Sequence, residues 1–145
     1  MLALAQRVLS AEITLDNKIL FNINRGIVVF VCFETDDDKP LLNKFIDKIT
    51  SFYFFSTHGD RLDSSIQDID GEVAIISQFS LAATTKKGKK PSYHQVAPTE
   101  KAKKLYSTLE EHLKKKHSKS KFGIFGADMQ IKLINDGPLT FNFSF

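Results

Sequence analysis

Tryptophan is absent from this chain, and cysteine occurs once. A single cysteine excludes an intramolecular disulfide and suits a reducing compartment. Cys32 lies inside the apolar run Ile27-Val28-Val29-Phe30-Val31-Cys32-Phe33, which reads as a small buried hydrophobe rather than a nucleophile. No stretch approaches the roughly 18 apolar residues that a membrane helix needs. Met1 to Arg7 lacks a basic leader, and Gln6 and Arg7 interrupt its apolar run, so a cytoplasmic protein with no membrane partner is expected. Also missing are His-Glu-x-x-His, a Gly-x-Ser-x-Gly elbow, a phosphate-binding loop, repeats and any low-complexity tail. Four scattered histidines set no metal-ligand spacing. Neither a metal nor a cofactor is expected.

What is present is enough for one folded unit. The 145 residues are 42% hydrophobic, with 13 Phe, and suffice for a single domain over 1–145. Phe fills cores of strands and helices alike, so its abundance names no ligand. The net charge of +3 hides an asymmetry. Between Thr84 and Lys121 twelve Lys stand against Glu100, Glu110 and Glu111, while the remainder is acidic. A polyanion-binding lobe and a solvated lysine face explain this equally well.

Alternation predicts strands over Leu2 to Ser10, Glu12 to Leu15 and Ile19 to Ile23, with a turn at Asp16-Asn17-Lys18. The apolar run 27–33 predicts a strand buried on both faces. The acids of Glu34 to Lys39 lack the glycine and closing glutamate of a calcium loop, so they read as a polar lead-in to a helix beginning near Pro40. Phe52 to Phe55 reads as a short strand, Glu72 to Leu81 as a strong one, and Ala82 to Ala97 as a long lysine-bearing loop. A helix follows from Pro98 to about His117. Phe122 to Ala127 reads as a Gly-rich linker. Strands over Asp128 to Ile134 and Leu139 to Phe145 would flank a tight turn at Asn135-Asp136-Gly137-Pro138. The expected fold is α+β: a strand-rich, nearly closed, barrel-like antiparallel or mixed sheet with two helices, closed by its last hairpin.

Two segments stand out. Ser77-Gln78-Phe79-Ser80 puts polar residues at the end of an apolar strand, where they need partners unless the strand is entering solvent. Asn135-Asp136-Gly137-Pro138 is, on local chemistry alone, a hairpin corner. Ser77-Gln78-Phe79-Ser80-Leu81, however, resembles the Ser-Gln-Phe-Thr-Leu signature of D-aminoacyl-tRNA deacylases. Asn135-Asp136-Gly137-Pro138-Leu139-Thr140 is similar to that family's Asn-x-Gly-Pro-x-Thr. Gln6-Arg7-Val8, Lys87 to Tyr93 with Ala97-Pro98, and Phe125 to Gln130 resemble its opening strand, basic loop and approach to the Gly-Pro motif, in family order over the whole chain.

The resemblance implies an enzyme that hydrolyses the ester of D-aminoacyl-tRNA, and of glycyl-tRNA, working as a homodimer. It implies that Gly137 and Pro138 enter the partner's pocket through a cis peptide bond and exclude L-amino acids by clash. Arg7 and Met129 would hold that loop, with Asn135 and Thr140 part of the same substrate-binding motif. Ser77, Gln78, Phe79 and Ser80 would form the catalytic segment around the terminal adenosine, aided by the substrate's own 2′-hydroxyl. Ser80 replaces the family's Thr and keeps the hydroxyl without the methyl, which argues against an essential threonine nucleophile. Phe122 and Ala83-Thr84 depart from residues common in relatives. Lys86, Lys87, Lys89 and Lys90 would meet tRNA phosphates, with no role for DNA. Competing readings are an editing deacylase of relaxed chirality, a tRNA-binding protein without catalysis, and a serine hydrolase built on Ser77 or Ser80.

Overall fold

A computed structural model describes residues 1–86 and 88–145. The first strand, β1 (Leu2–Leu15), is followed by β2 (Lys18–Ile23) and β3 (Gly26–Cys32). Helix α1 (Lys39–Ser51) leads to β4 (Glu72–Ser77) and a short 3-10 turn over Phe79–Ala82. Helix α2 (Thr99–Lys116), β5 (Ser120–Phe122) and β6 (Gln130–Ser144) complete the chain. The six strands form one mixed sheet in the order β2-β1-β3-β4-β5, with β6 along the free edge of β1. β1 pairs antiparallel with β2, β3 and β6, while β3–β4 and β4–β5 are parallel and joined through the helices. The result is the strand-rich, nearly closed, barrel-like sheet with two helices that the pattern predicts.

Alternation along the strands divides the interior. Ile27, Val29, Val31, Val73 and Ile75 point to one face and join Leu42, Phe45 and Ile49 of α1 and Leu105, Leu109 and Leu113 of α2. Val28, Ala74 and Ile76 point to the other, with Val8, Ile13 and Ile23, and no helix residue contributes there. β3 therefore buries both faces, as its continuous apolar run requires. Helix α1 starts where expected: Pro40 sits in its first turn, and the Asp38 carboxylate accepts from the Leu41 N–H at 3.2 Å. Asp37, in the acidic segment before it, is buried and accepts from the Glu34 N–H and the Met1 ammonium. The Phe abundance is structural. Phe52, Phe54, Phe141 and Phe143 form edge-on contacts at 4.9–6.3 Å that tie the end of α1 to β6.

Three expectations change. The strand read over Phe52 to Phe55 is an irregular segment with a single bridge between Phe55 and Ser64. Both Phe54 and Phe55 are fully buried, and the Phe54 and Phe55 N–H groups both donate to the Ser64 carbonyl, which a regular ladder would not allow. The strand read from Glu72 to Leu81 ends at Ser77, and the 3-10 turn that follows lifts Phe79 into solvent. The last hairpin does not exist. Residues 130–144 are one strand, antiparallel to β1 on both sides of Gly137-Pro138. Gln6 pairs with Thr140 and Val8 with Asn135, so Arg7 alone stands opposite four residues, 136–139. The Gly-Pro segment is an outlooped bulge. β1 is long enough to pair with both halves of β6, so the chain never needs to reverse.

Candidate active site

A cavity of about 620 Å³ opens where β3 and β4 end, walled by Cys32, Ile76, Ser77, Gln78 and Phe79, by Val96, Ala97, Thr99 and Ala102, and by Phe125 to Met129. Its floor follows from the strand ends. Ser77 pairs with Val31 in the parallel ladder, and the Gln78 N–H donates to the Val31 carbonyl at 2.7 Å. The Ser80 hydroxyl donates to the Gln78 side-chain carbonyl at 2.9 Å, so the two polar side chains after the strand satisfy each other. Phe79 is 57% exposed, an unusual position for a phenylalanine.

Cys32 is buried against this turn, its thiol facing the Phe79 carbonyl at 3.5 Å, and burial raises its pKa. It stays a thiol and behaves as the small hydrophobe the sequence suggests. His94 bonds the Ser92 hydroxyl, and among the described residues no serine–histidine–acid relay forms at the cavity.

Of the residues singled out in the sequence, Ser77, Gln78, Phe79 and Met129 come together on this cavity, with Ser80 bonded to Gln78. Gly123 packs under Met129, where an added Cβ would lie 3.0 Å from its methyl carbon. The Gly-rich linker is thus a wall of the cavity. Arg7, Asn135, Gly137, Pro138 and Thr140 assemble elsewhere, around the bulge. The Arg7 Nε donates to the Asp136 carbonyl at 3.2 Å and pairs with its carboxylate at 3.0 Å, while Nη1 donates to the Phe54 carbonyl at 3.0 Å. The Asn135 side chain accepts from the Leu139 N–H at 2.9 Å and donates to the Thr140 hydroxyl at 3.1 Å. The Gln6 amide donates to that same hydroxyl at 3.3 Å. The Gly137–Pro138 peptide bond is cis, and Gly137 has φ +125°. Both residues are exposed, and neither lines the chain's own cavity.

The lysines divide by partner. Lys114, Lys115, Lys116, Lys119 and Lys121 pair with Glu110, Glu111, Asp47, Asp70 and Glu72. Among the described residues, Lys86, Lys89 and Lys90 have no acidic partner and lie exposed on the loop beside the cavity, whereas Lys87 lies outside the described residues. Lys101, Lys103 and Lys104 in the first half of α2 also meet no carboxylate among the described residues, so charge without an acidic partner lies on this loop and on the first half of α2, whose Thr99 and Ala102 wall the cavity.

The chain as a whole has relatives among known proteins. The family model described as D-Tyr-tRNA(Tyr) deacylase matches residues 4–144. The chain belongs to the D-aminoacyl-tRNA deacylase family. A D-aminoacyl-tRNA deacylase of Francisella tularensis subsp. novicida (strain U112) is 41% identical over 143 residues, covering 99% of each chain. One of Cellvibrio japonicus (strain Ueda107) is 38% identical over 141 residues, covering 97% of each. A solved structure described as c-Myc DNA Unwinding Element Binding Protein superposes with a TM-score of 0.94 at 34% identity, covering 100% of this chain and 99% of that one. A probable eukaryotic D-amino acid tRNA deacylase superposes at TM-score 0.85 with 16% identity, covering 98% of this chain and 97% of that one, a likeness of fold. The deacylase family is one of hydrolases acting on aminoacyl-tRNA, which sets aside a generic serine hydrolase. Among the described residues, no helix is long and apolar enough to cross a membrane.

Sequence reading missed one support of the cavity. The buried Tyr106 hydroxyl lies 2.9 Å from both the Ile75 and Gly123 carbonyls, tying β4 to the wall beneath Met129. Its pKa is raised by burial, so it remains a donor. A tyrosine on the inward stripe of α2 carries no local signal of this role. Tyr106→Phe is expected to lower stability by about 1–2 kcal/mol, because two buried carbonyls lose their shared donor. A urea titration with an unchanged slope checks this; an unchanged midpoint would contradict it.

Proposed function

We propose that this chain, as one domain over residues 1–145, removes D-amino acids from tRNA in the cytoplasm as a homodimer. The cavity of each subunit would be completed by the Gly137-Pro138 bulge of the other. The observation that carries this reading is the separation of the two constructions. The Ser77-to-Phe79 cavity holds no Gly-Pro, while Gly137-Pro138 is braced by Arg7 and Asn135 yet exposed. A rigid, exposed loop bonded on its inner side is suited to entering a second copy.

In this reading the terminal adenosine and its ester sit against Gln78, Phe79 and Met129. Water adds to the ester carbonyl, the bond to the ribose oxygen breaks, and a free amino acid and a tRNA ending in hydroxyls leave. Phe79 and Ser80 open the 3-10 turn, where N–H groups have no partner within the turn and suit a developing oxyanion. The substrate's 2′-hydroxyl assists the addition, and the protein contributes position rather than a strong base. Backbone carbonyls at Gly137-Pro138 accept from the α-ammonium group. The side chain of a D-amino acid then points away, while that of an L-amino acid strikes the Gly-Pro backbone. Glycine, lacking a Cβ, passes the filter, so glycyl-tRNA is also a substrate. Lys86, Lys89 and Lys90 contact acceptor-stem phosphates without regard to sequence.

The test is hydrolysis of D-tyrosyl-tRNA and L-tyrosyl-tRNA side by side, with chelator present. Loss of the D-ester alone is expected. Equal loss of both would indicate relaxed chirality, and loss of neither with tRNA still bound would leave a binding protein.

A further inference from the structure

We propose that Tyr93, paired with Phe79, forms a stacking platform on the cavity rim for the base of the unpaired nucleotide that precedes the esterified one. The inference rests on the deacylase reading above and adds a contact to the same site. Tyr93 is 39% exposed and Phe79 57%, and their rings meet edge to face at 4.9 Å and 65°. An edge-to-face pair spends at most one ring face on the contact, so aromatic faces remain open to solvent. Two large rings left exposed side by side mark a binding surface rather than a core.

Tyr93 is held in place by backbone bonds. Ser92 and Thr84 exchange two hydrogen bonds at 2.8 and 3.0 Å across the base of the loop. The Val96 N–H donates to the Tyr93 carbonyl at 3.1 Å, and Ala97 donates to the Phe33 carbonyl at 2.9 Å. Because Val96 and Ala97 wall the cavity, the Tyr93 ring is fixed at its mouth. The same loop carries Lys86, Lys89 and Lys90, exposed and without acidic partners among the described residues. Open aromatic faces beside lysines are the chemistry that holds single-stranded nucleic acid: the cations follow the phosphates and the rings stack on unpaired bases. A duplex offers no free base face, so the fitting ligand is the single-stranded end. With the terminal nucleoside inside the cavity, the base that reaches the rim is the preceding one.

The experiment compares wild type, Tyr93→Ala and Tyr93→Phe on D-tyrosyl-tRNA and on the same tRNA with an abasic penultimate nucleotide. On intact tRNA, Tyr93→Ala is expected to raise KM roughly 10-fold with little change in kcat, while Tyr93→Phe stays near wild type. The abasic tRNA should cost wild type a similar factor and cost Tyr93→Ala nothing more, because the stacking partner is already gone. A Tyr93→Ala loss that is equal on both tRNAs, or no loss on either, would overturn the proposal and leave Tyr93 as a loop support. Failure of wild type to hydrolyse the intact D-ester would instead overturn the deacylase reading itself.

Discussion

Gly137→Ala is expected to lower D-tyrosyl-tRNA hydrolysis by about 100-fold while leaving most of the fold intact. Gly137 has φ +125°, a conformation closed to residues with a Cβ. An alanine Cβ there would lie 3.1 Å from the Leu139 nitrogen and 3.2 Å from the Arg7 guanidinium. Holding such a backbone costs on the order of 1–3 kcal/mol, and the added methyl crowds the same Arg7 guanidinium that braces the loop. The bulge therefore changes shape. Gly137 is exposed and outside both core clusters, so the cost falls on the loop rather than on the sheet. A displacement of about 1 Å in a positioning element is enough to remove about two orders of magnitude of rate. The check is kcat/KM on the D-ester together with the melting temperature. Near-normal activity would show that the bulge takes no part in the reaction.

Arg7→Ala is expected to cost about 2–3 kcal/mol of stability and to weaken D-ester hydrolysis further than that loss explains. The guanidinium joins three acceptors from two distant segments: the Asp136 carbonyl, the Asp136 carboxylate and the Phe54 carbonyl. The Arg7 side chain is 16% exposed and that of Asp136 32%, so water replaces these contacts only in part. Charge-assisted bonds of this kind contribute roughly 1.5–3 kcal/mol each, less than additively when they share a donor. Arg7→Lys keeps the charge but not the fork, and should recover only part of both losses. Urea unfolding and D-ester kinetics on the three proteins check this. A variant lacking Arg7 with wild-type stability would remove the argument that this residue braces the bulge.

The parts of the fold that were legible are those set by local periodicity. The 27–33 run is buried on both faces, as continuous apolarity requires, and both helices begin within a residue of their Pro40 and Pro98 signals. At the candidate site, Arg7 and the Gly-Pro motif were linked by resemblance, and they meet across 129 residues of sequence. The bulge was not legible. Asn-Asp-Gly-Pro has the same turn chemistry in a hairpin as in an outlooped segment, and only pairing with β1 on both sides distinguishes them. Nor was Phe79 beside Tyr93: thirteen residues lie between them, and a two-bond bridge at Thr84 and Ser92 closes the distance.

The charge pattern shows the division well. Twelve lysines in one segment left a polyanion surface and a solvated face equally open. Five of the twelve meet carboxylates, three of them on α1, in the segment before β4 or on β4 itself, and among the described residues the lysines without acidic partners lie on the loop beside the cavity and on the first half of α2. The sequence alone determined both helices, the long strands, which of their faces are apolar and, through its motifs, the family. The tertiary structure decided which strand β6 follows, which lysines stay free, and which side chains share the cavity rim. Burial patterns repeat every two or four residues and can be read locally, whereas pairing across a hundred residues is settled by whichever partner satisfies the most backbone groups and buries the most apolar surface.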